Sequence, residues 1–217
     1  MIAQERLEQF QEILRVVRRE FPGSHPVIGG GALRDSILGR PIKDVDVLLR
    51  AQDHSTLDSE RTQYVRPPII VQHGYGRADM HGCWNFRQQI CGYDVQLILA
   101  DFEDLHDLAH TFDIGICRVT YDGKELYVTP EFEEDAAAKM LQIRRADNQY
   151  ELTRSFKRAR RLQEKYPEYG VYLTVASYCL TCGGTVVEGS FRNSISVKEY
   201  GISGMCQRCQ DSVFGLD

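Results

Sequence analysis

The segment VIGGGALRDSILGRPIKDVDVLL, residues 27–49, constrains the fold more than any other stretch of this chain. A short apolar strand at Val27 and Ile28 runs into Gly29, Gly30 and Gly31. A helix starts near Ala32 and ends at Gly39, and Pro41 opens a second strand from Asp44 to Leu49. The glycine turn lets backbone N–H groups at the helix start face phosphate oxygens. Alternation along the second strand puts Asp44 and Asp46 on one face and Val45 and Val47 on the other. Two carboxylates so placed suit Mg²⁺, a hard cation that prefers oxygen ligands. Two such ions activate an attacking hydroxyl and stabilise a leaving pyrophosphate.

The rest of the chain predicts an α+β fold: a small mixed sheet flanked by helices, then a helical connector, then a C-terminal zinc ribbon. Residues 4–20 read as an amphipathic helix, with Leu7, Phe10, Leu14 and Val17 at helical spacing. A strand is expected at 69–72, and a hairpin at 84–90 and 93–100 turning at Cys91 and Gly92. A short helix near 102–110 precedes a second hairpin over 113–128, with Asp122-Gly123 as its turn. Helices are expected at 131–142 and 150–165. The division that follows is 1–145, a basic connector at 146–170 that holds Arg154, Lys157, Arg158, Arg160, Arg161 and Lys165, and a module at 171–217.

Seven cysteines in a chain without a disulfide framework point to a metal. Cys179 and Cys182 form one CxxC, Cys206 and Cys209 another, with glycines at 183, 184 and 204 beside them. Each knuckle presents two thiolates from one tight turn, which suits tetrahedral zinc, and four cysteine ligands make that single ion structural. The alternative is four unligated thiols. The stretch between the pairs, TVVEGSFRNSISVKEYGIS, reads as short strands. With 42% hydrophobic and 26% charged residues the composition is that of a globular protein. No apolar run is long enough to span a bilayer, and the N-terminus carries charges where a signal peptide needs an apolar core, so no membrane partner and a cytoplasmic location are expected. The net charge of -5 argues against nucleic-acid binding over the whole surface but leaves room for a local basic patch.

The ordered combination of glycine turn, spacer and paired aspartates resembles the nucleotidyltransferase superfamily of DNA polymerase beta. Within it the chain looks closest to the tRNA nucleotidyltransferase and poly(A) polymerase group. Gly30, Gly31, Ala32, Leu33, Arg34 and Asp35 match that group's GGAxRD element, and Lys43 to Val47 match its KDhDh strand, where h is apolar. The resemblance implies that Asp44 and Asp46 bind two metals, that Gly30 and Gly31 lie near the triphosphate, and that Arg34 lies near the nucleotide pocket. A third carboxylate from a later strand is usual in the superfamily. Asp94 in YDVQLIL is the best candidate, for the metal and as general base, ahead of Asp79 and Asp101. Asp113 falls on the Asp of the group's RRDFTINAxxY segment, which helps place the nucleotide; Thr111, Phe112 and Cys117 depart from that segment's two arginines and asparagine. Glu151 and Arg154 fit the spacing of the acidic and Arg pair that reads the base edge in this group.

These readings imply transfer of a nucleoside monophosphate from an NTP to an acceptor hydroxyl, an RNA 3′ end such as that of tRNA being the natural acceptor. The helical body and tail of full-length tRNA nucleotidyltransferases have no counterpart in 171–217, so CCA addition itself is not implied. The ribbon, with Phe191, Arg192 and Lys198, either contacts the acceptor or caps the connector helices. Two alternatives stay open: a non-catalytic nucleotide or nucleic-acid binding module, and toxin-like transfer to a protein hydroxyl. Trp84 and Tyr93 are read as core residues of the hairpin rather than base-stacking rings. His73, His81 and His110 are read as loop or surface histidines, and Cys117 as a small buried hydrophobe.

Overall fold

The computed structural model describes residues 2–52, 70–71, 80–173, 178–187 and 189–215. The chain forms two compact units. One comprises residues 1–111 and 117–129, the other residues 112–116 and 130–217. The boundaries expected at 145 and 170 rest on sequence character, and the second compact unit takes in 130–145 and the connector helix as well as the C-terminal module.

The first unit is a seven-stranded mixed sheet with helices α1 (Gln4–Glu20), α2 (Gly31–Ile37) and α3 (Leu105–Thr111). Its strands are β1 (Val27–Gly29), β2 (Asp44–Arg50), β3 (Ile70–Val71), β4 (Met80–Asn85), β5 (Asp94–Ala100), β6 (Val119–Tyr121) and β7 (Leu126–Val128). They lie in the order β3-β4-β5-β2-β1-β6-β7. β3 pairs antiparallel with β4, β4 antiparallel with β5, and β5 parallel with β2. Apolar periodicity explains the packing. Phe10, Ile13, Leu14 and Val17 of α1 are buried, each burial stabilising by roughly 1.5–3 kcal/mol. The β4–β5 connection turns where the sequence predicts: Cys91 and Gly92 both have positive φ, 52° and 80°, as a tight hairpin turn requires. The strand predicted over 84–90 is β4, four residues earlier at its start, with only an Ile90–Tyr93 bridge closing the turn. The second hairpin is β6–β7 alone. A 3₁₀ turn at Gly115–Cys117 occupies the start of the predicted strand.

The second unit contains α4 (Pro130–Ala138), β8 (Met140–Ile143), α5 (Gln149–Lys165), β9 (Gly170–Leu173), α6 (Ser194–Ser203) and α7 (Gln207–Phe214). The helix predicted over 131–142 stops at Ala138. Lys139 takes a left-handed φ of 53°, and Met140–Ile143 pairs in parallel with β9. The alternation of Leu141 and Ile143 into the core is a strand period that a helical reading of so short a run misses. The strands predicted between the CxxC pairs are also replaced. Asn193 accepts from the Ile195 and Ser196 N–H groups, and Gly204 closes the helix with a left-handed φ of 71°. These are strong helix start and stop signals, and they outweigh the β-branched Ile195, Val197 and Ile202. Among the described residues no helix is long and apolar enough to cross a membrane.

A buried ion pair braces this unit. Arg144 Nη2 donates to Asp135 Oδ1 at 2.5 Å, with Asp135 fully buried. A Cβ at Gly115 would lie 2.0 Å from Asp135 Oδ2 and 3.3 Å from Arg144 Nε. Gly115→Ala is therefore expected to force the pair apart and destabilise the protein by about 3 kcal/mol, through overpacking and a disrupted buried charge pair. Thermal denaturation followed by circular dichroism checks this, and an unchanged midpoint would contradict it.

Candidate active site and metal centre

β2 and β5 bring the acidic residues together. Their parallel register sets Asp44 beside Asp94 and Asp46 beside Gln96. Registered neighbours point to the same face, so Asp44, Asp46 and Asp94 share one face at the N-terminal ends of two adjacent strands. Val45, Val47, Val95 and Leu97 are buried and hold the strands in that register. Asp44 and Asp46 are half-buried and Asp94 is exposed. Lys43 Nζ lies 3.7 Å from Asp44 Oδ2, and Gln89 Nε2 donates to Asp94 Oδ1 at 3.1 Å. The donors are carboxylate oxygens open to solvent, the chemistry that Mg²⁺ takes, but the three do not converge as a ligand cluster. Of the rivals, Asp101 is exposed and paired with His81 at 2.8 Å, while Asp79 lies outside the described residues.

The glycine turn precedes α2. Gly30 has φ 71° and ψ −118°, a conformation that only glycine adopts at low cost, and its N–H donates to the Val119 carbonyl at 3.0 Å. The Gly30–Gly31 turn thus carries no side chain between β1 and α2. Arg34 is buried. Its Nε and Nη2 donate to Asp35 Oδ1 at 2.8 and 2.7 Å, and its Nη1 donates to the Cys117 Sγ at 3.2 Å. The expectation that Cys117 is a small buried hydrophobe holds for its burial but misses this contact. An arginine in a GGAxRD element and a lone cysteine give no sequence signal of pairing.

The later candidates belong to the second unit. Asp113 accepts from Ser155 Oγ at 2.6 Å and Arg158 Nη1 at 2.8 Å, and its carbonyl accepts from the Arg144 N–H at 2.7 Å. It thereby ties the segment 112–116 to α5. Glu151 is the third helical residue after the cap Asn148, whose side chain accepts from the Glu151 N–H. The Glu151 carboxylate turns back to accept from the Asp147 N–H at 2.9 Å. This is a variant of the capping box, a role the acidic-x-x-Arg reading misses. Arg154 is half-exposed on α5. Where two arginines are expected from the resemblance, Thr111 bonds its own helix at the Leu108 carbonyl and Phe112 is a core residue. Trp84 is buried and Tyr93 half-buried, its hydroxyl engaged by Gln9 and Arg6 of α1. His110 contacts the Tyr127 hydroxyl at 3.3 Å on the surface, and His73 lies outside the described residues.

The four CxxC cysteines converge. Their sulfurs all lie within 4.8 Å of one another, the one such cluster of metal-ligating groups among the described residues; the three carboxylates are more widely spread. Cys179 Sγ is 3.7 Å from Cys209 Sγ, and Cys182 Sγ is 3.8 Å from Cys206 Sγ. A tetrahedron with Zn–S bonds of about 2.3 Å has edges of about 3.8 Å, so the spacing fits zinc. The Cys182 and Cys206 N–H groups donate to Cys179 Sγ at 3.4 and 3.2 Å. Burial raises the Cys179 thiol, but these N–H groups outweigh it and hold the thiol at about 6. Burial and the neighbouring sulfurs push Cys209 up to about 12. Four thiols this close ionise together only around a cation.

Solved structures share this fold. A tRNA-processing enzyme in an apo form is 16% identical over 79% of this chain and 45% of its own, with a TM-score of 0.51. The Thermotoga maritima CCA-adding enzyme complexed with tRNA is 12% identical over 80% and 40%, with a TM-score of 0.52. A CCA-adding enzyme with ATP is 13% identical over 78% and 40%, also at 0.52. The chain thus spans less than half the length of these structures, and no curated protein sequence matches it. The fold is the one these tRNA-processing and CCA-adding enzymes share over part of their length, and it is followed here by a module whose four cysteines fit zinc. The profile of the Gad2 family, described as Gabija anti-defense 2 family protein, matches residues 6–139, and the chain belongs to that family.

Proposed function

We propose that this protein is a metal-dependent nucleotidyltransferase that moves a nucleoside monophosphate from an NTP to an acceptor hydroxyl. The observation that carries the reading is the register of β2 and β5, which aligns Asp44, Asp46 and Asp94 on one face next to the bare Gly30–Gly31 turn. Asp44 and Asp46 would hold Mg²⁺, with Asp94 as the third carboxylate; when bound, the metal would supply charge neutralisation on the triphosphate and acidify the attacking hydroxyl. The acceptor oxygen bonds to the α-phosphorus, the bond to the β-phosphate oxygen breaks, and its electron pair leaves with pyrophosphate. The hydroxyl proton passes to a carboxylate, in this reading Asp94, the most exposed of the three. Gly30 and Gly31 let the triphosphate approach the backbone, with Arg34 positioning that turn, while Asp113, Glu151 and Arg154 are the nucleotide-binding candidates that the second unit offers. One zinc held by Cys179, Cys182, Cys206 and Cys209 is structural.

An RNA 3′ end is the acceptor in this reading, supported by the tRNA-bound structure of the same fold. The family description supplies the setting: the transfer acts against a defence system. A second reading, transfer to a protein hydroxyl, is favoured by the exposed apolar side chains Ile195, Val213 and Phe214 of α6 and α7. Incubation with each α-labelled NTP, Mg²⁺ and total cellular RNA tests both. Label on RNA from one NTP is expected. Label on protein moves the acceptor to a side-chain hydroxyl, and no label with NTP still bound leaves a binding module.

A further inference from the structure

One face of α5 is unexplained by the residues that anchor it. Leu152, Ser155 and Ala159 are buried, so they mark the side of the helix packed on the core. At 3.6 residues per turn, Tyr150, Arg154, Lys157, Arg161 and Lys165 fall within about 80° of one another on the opposite side. Tyr150 is 65% exposed, and Lys157 and Arg161 are exposed. Arg158 and Arg160 of the same helix make internal contacts. Arg158 binds Asp113, and Arg160 donates to the Ile202 carbonyl and stacks over Phe156. Of the nearby carboxylates, Glu151 is turned back onto the Asp147 N–H, and Glu164 borders the stripe. The helix is therefore fixed at both flanks and presents an exposed ring in line with the exposed cations Lys157 and Arg161.

We propose that this face binds single-stranded nucleic acid, one base stacking on Tyr150 and backbone phosphates running along Lys157 and Arg161 toward Lys165. A ring open to solvent beside cations offers a π-face to any unpaired base, and the cations replace counterions on the backbone. A duplex stacks its own bases and leaves the tyrosine without a role. An acidic peptide uses the cations but not the ring. The inference deepens the function proposed above, in which such a strand is the acceptor, and its failure is separable from that reading.

The test is fluorescence anisotropy of the full chain with a labelled single-stranded oligoribonucleotide, across a salt series. A double variant, Lys157→Gln with Arg161→Gln, is expected to bind about tenfold more weakly at low salt. Its slope of log affinity against log salt should fall by about 1.4, or 0.7 for each lost phosphate contact. Tyr150→Ala should weaken binding about tenfold with the salt slope unchanged, because stacking releases no counterion. Arg15→Gln, removing an exposed cation of α1, should bind as the parent does. The substituted side chains of α5 lie away from its buried face, so melting midpoints should match. Equal binding by all variants overturns the proposal, as does equal competition by polyglutamate. Transfer to RNA with unaltered binding in the α5 variants sinks this inference and leaves the enzyme. Strand binding through α5 without any transfer does the reverse.

Discussion

Asn in place of Asp44 or Asp46 is expected to lower nucleotidyl transfer roughly a thousandfold while NTP binding and folding persist. Both residues are half-buried on β2, and neither contributes to the apolar layer formed by Val45, Val47, Leu48 and Leu49. The substitution keeps shape and removes one negative charge, so the strand register with β5 should survive. What is lost is a hard anionic ligand. Metal coordination at the phosphoryl oxygens supplies several kcal/mol of transition-state stabilisation, which is a rate factor of about 10³. Asp94→Asn should cost less, since Asp94 begins β5 at an exposed position and a neighbouring water can accept the proton. The measurement is single-turnover transfer from α-labelled NTP, with NTP affinity by equilibrium dialysis. Full activity in the Asp46→Asn variant would remove the carboxylate face from the mechanism.

Replacing Cys179 and Cys182 with serine is expected to unfold the C-terminal module. Its own core is small. Among the described residues of 171–217 the buried apolar side chains are Val171, Leu173, Cys179, Val186 and Tyr200, with Gln210 buried on the Ser196 and Met205 carbonyls. So little apolar burial cannot order α6 and α7 alone. Metal binding at such a site contributes on the order of 10–16 kcal/mol in small zinc modules, all of it coupled to folding. The parent protein should carry about one zinc per chain by elemental analysis, and the double variant none. Backbone amides of 194–214 should lose hydrogen-exchange protection, while those of β2 and β5 in the first unit keep theirs. Because cysteine must shed protons to bind metal, acidification should release zinc from the parent. A zinc-free parent with full protection in α6 and α7 would contradict the assignment.

How much of this was legible in the sequence depends on the range of the interactions. The turn at Gly30, the alternation of Asp44 and Asp46 and the CxxC pairs are local signals, and each lies where residue type and spacing put it. The partnership of Asp44 with Asp94 is a matter of strand register. The sequence offers Asp94 as a candidate, but only the parallel pairing of β2 and β5 places it beside Asp44. Arg34 and Cys117 meet across distant parts of the chain, and no local pattern announces a guanidinium on a buried thiol. Glu151 illustrates a different loss: one residue at the third position of a helix satisfies both a base-reading motif and a helix cap, and the structure uses its carboxylate for the cap. In α6 the local signals disagree. Its β-branched residues favour a strand, whereas Asn193 and Gly204 bound a helix. Capping satisfies backbone groups that a short exposed strand would leave unpaired, and the helix wins.

Transfer of a nucleoside monophosphate is read out by comparing α-labelled and γ-labelled NTP in parallel single-turnover reactions with Mg²⁺ and RNA. The α-label is expected to become covalently attached to the acceptor while the γ-label appears in pyrophosphate in equal amount, both lost in Asp44→Asn. Transfer of the γ-label to the acceptor, or its release as orthophosphate with no α-label attached, would contradict it.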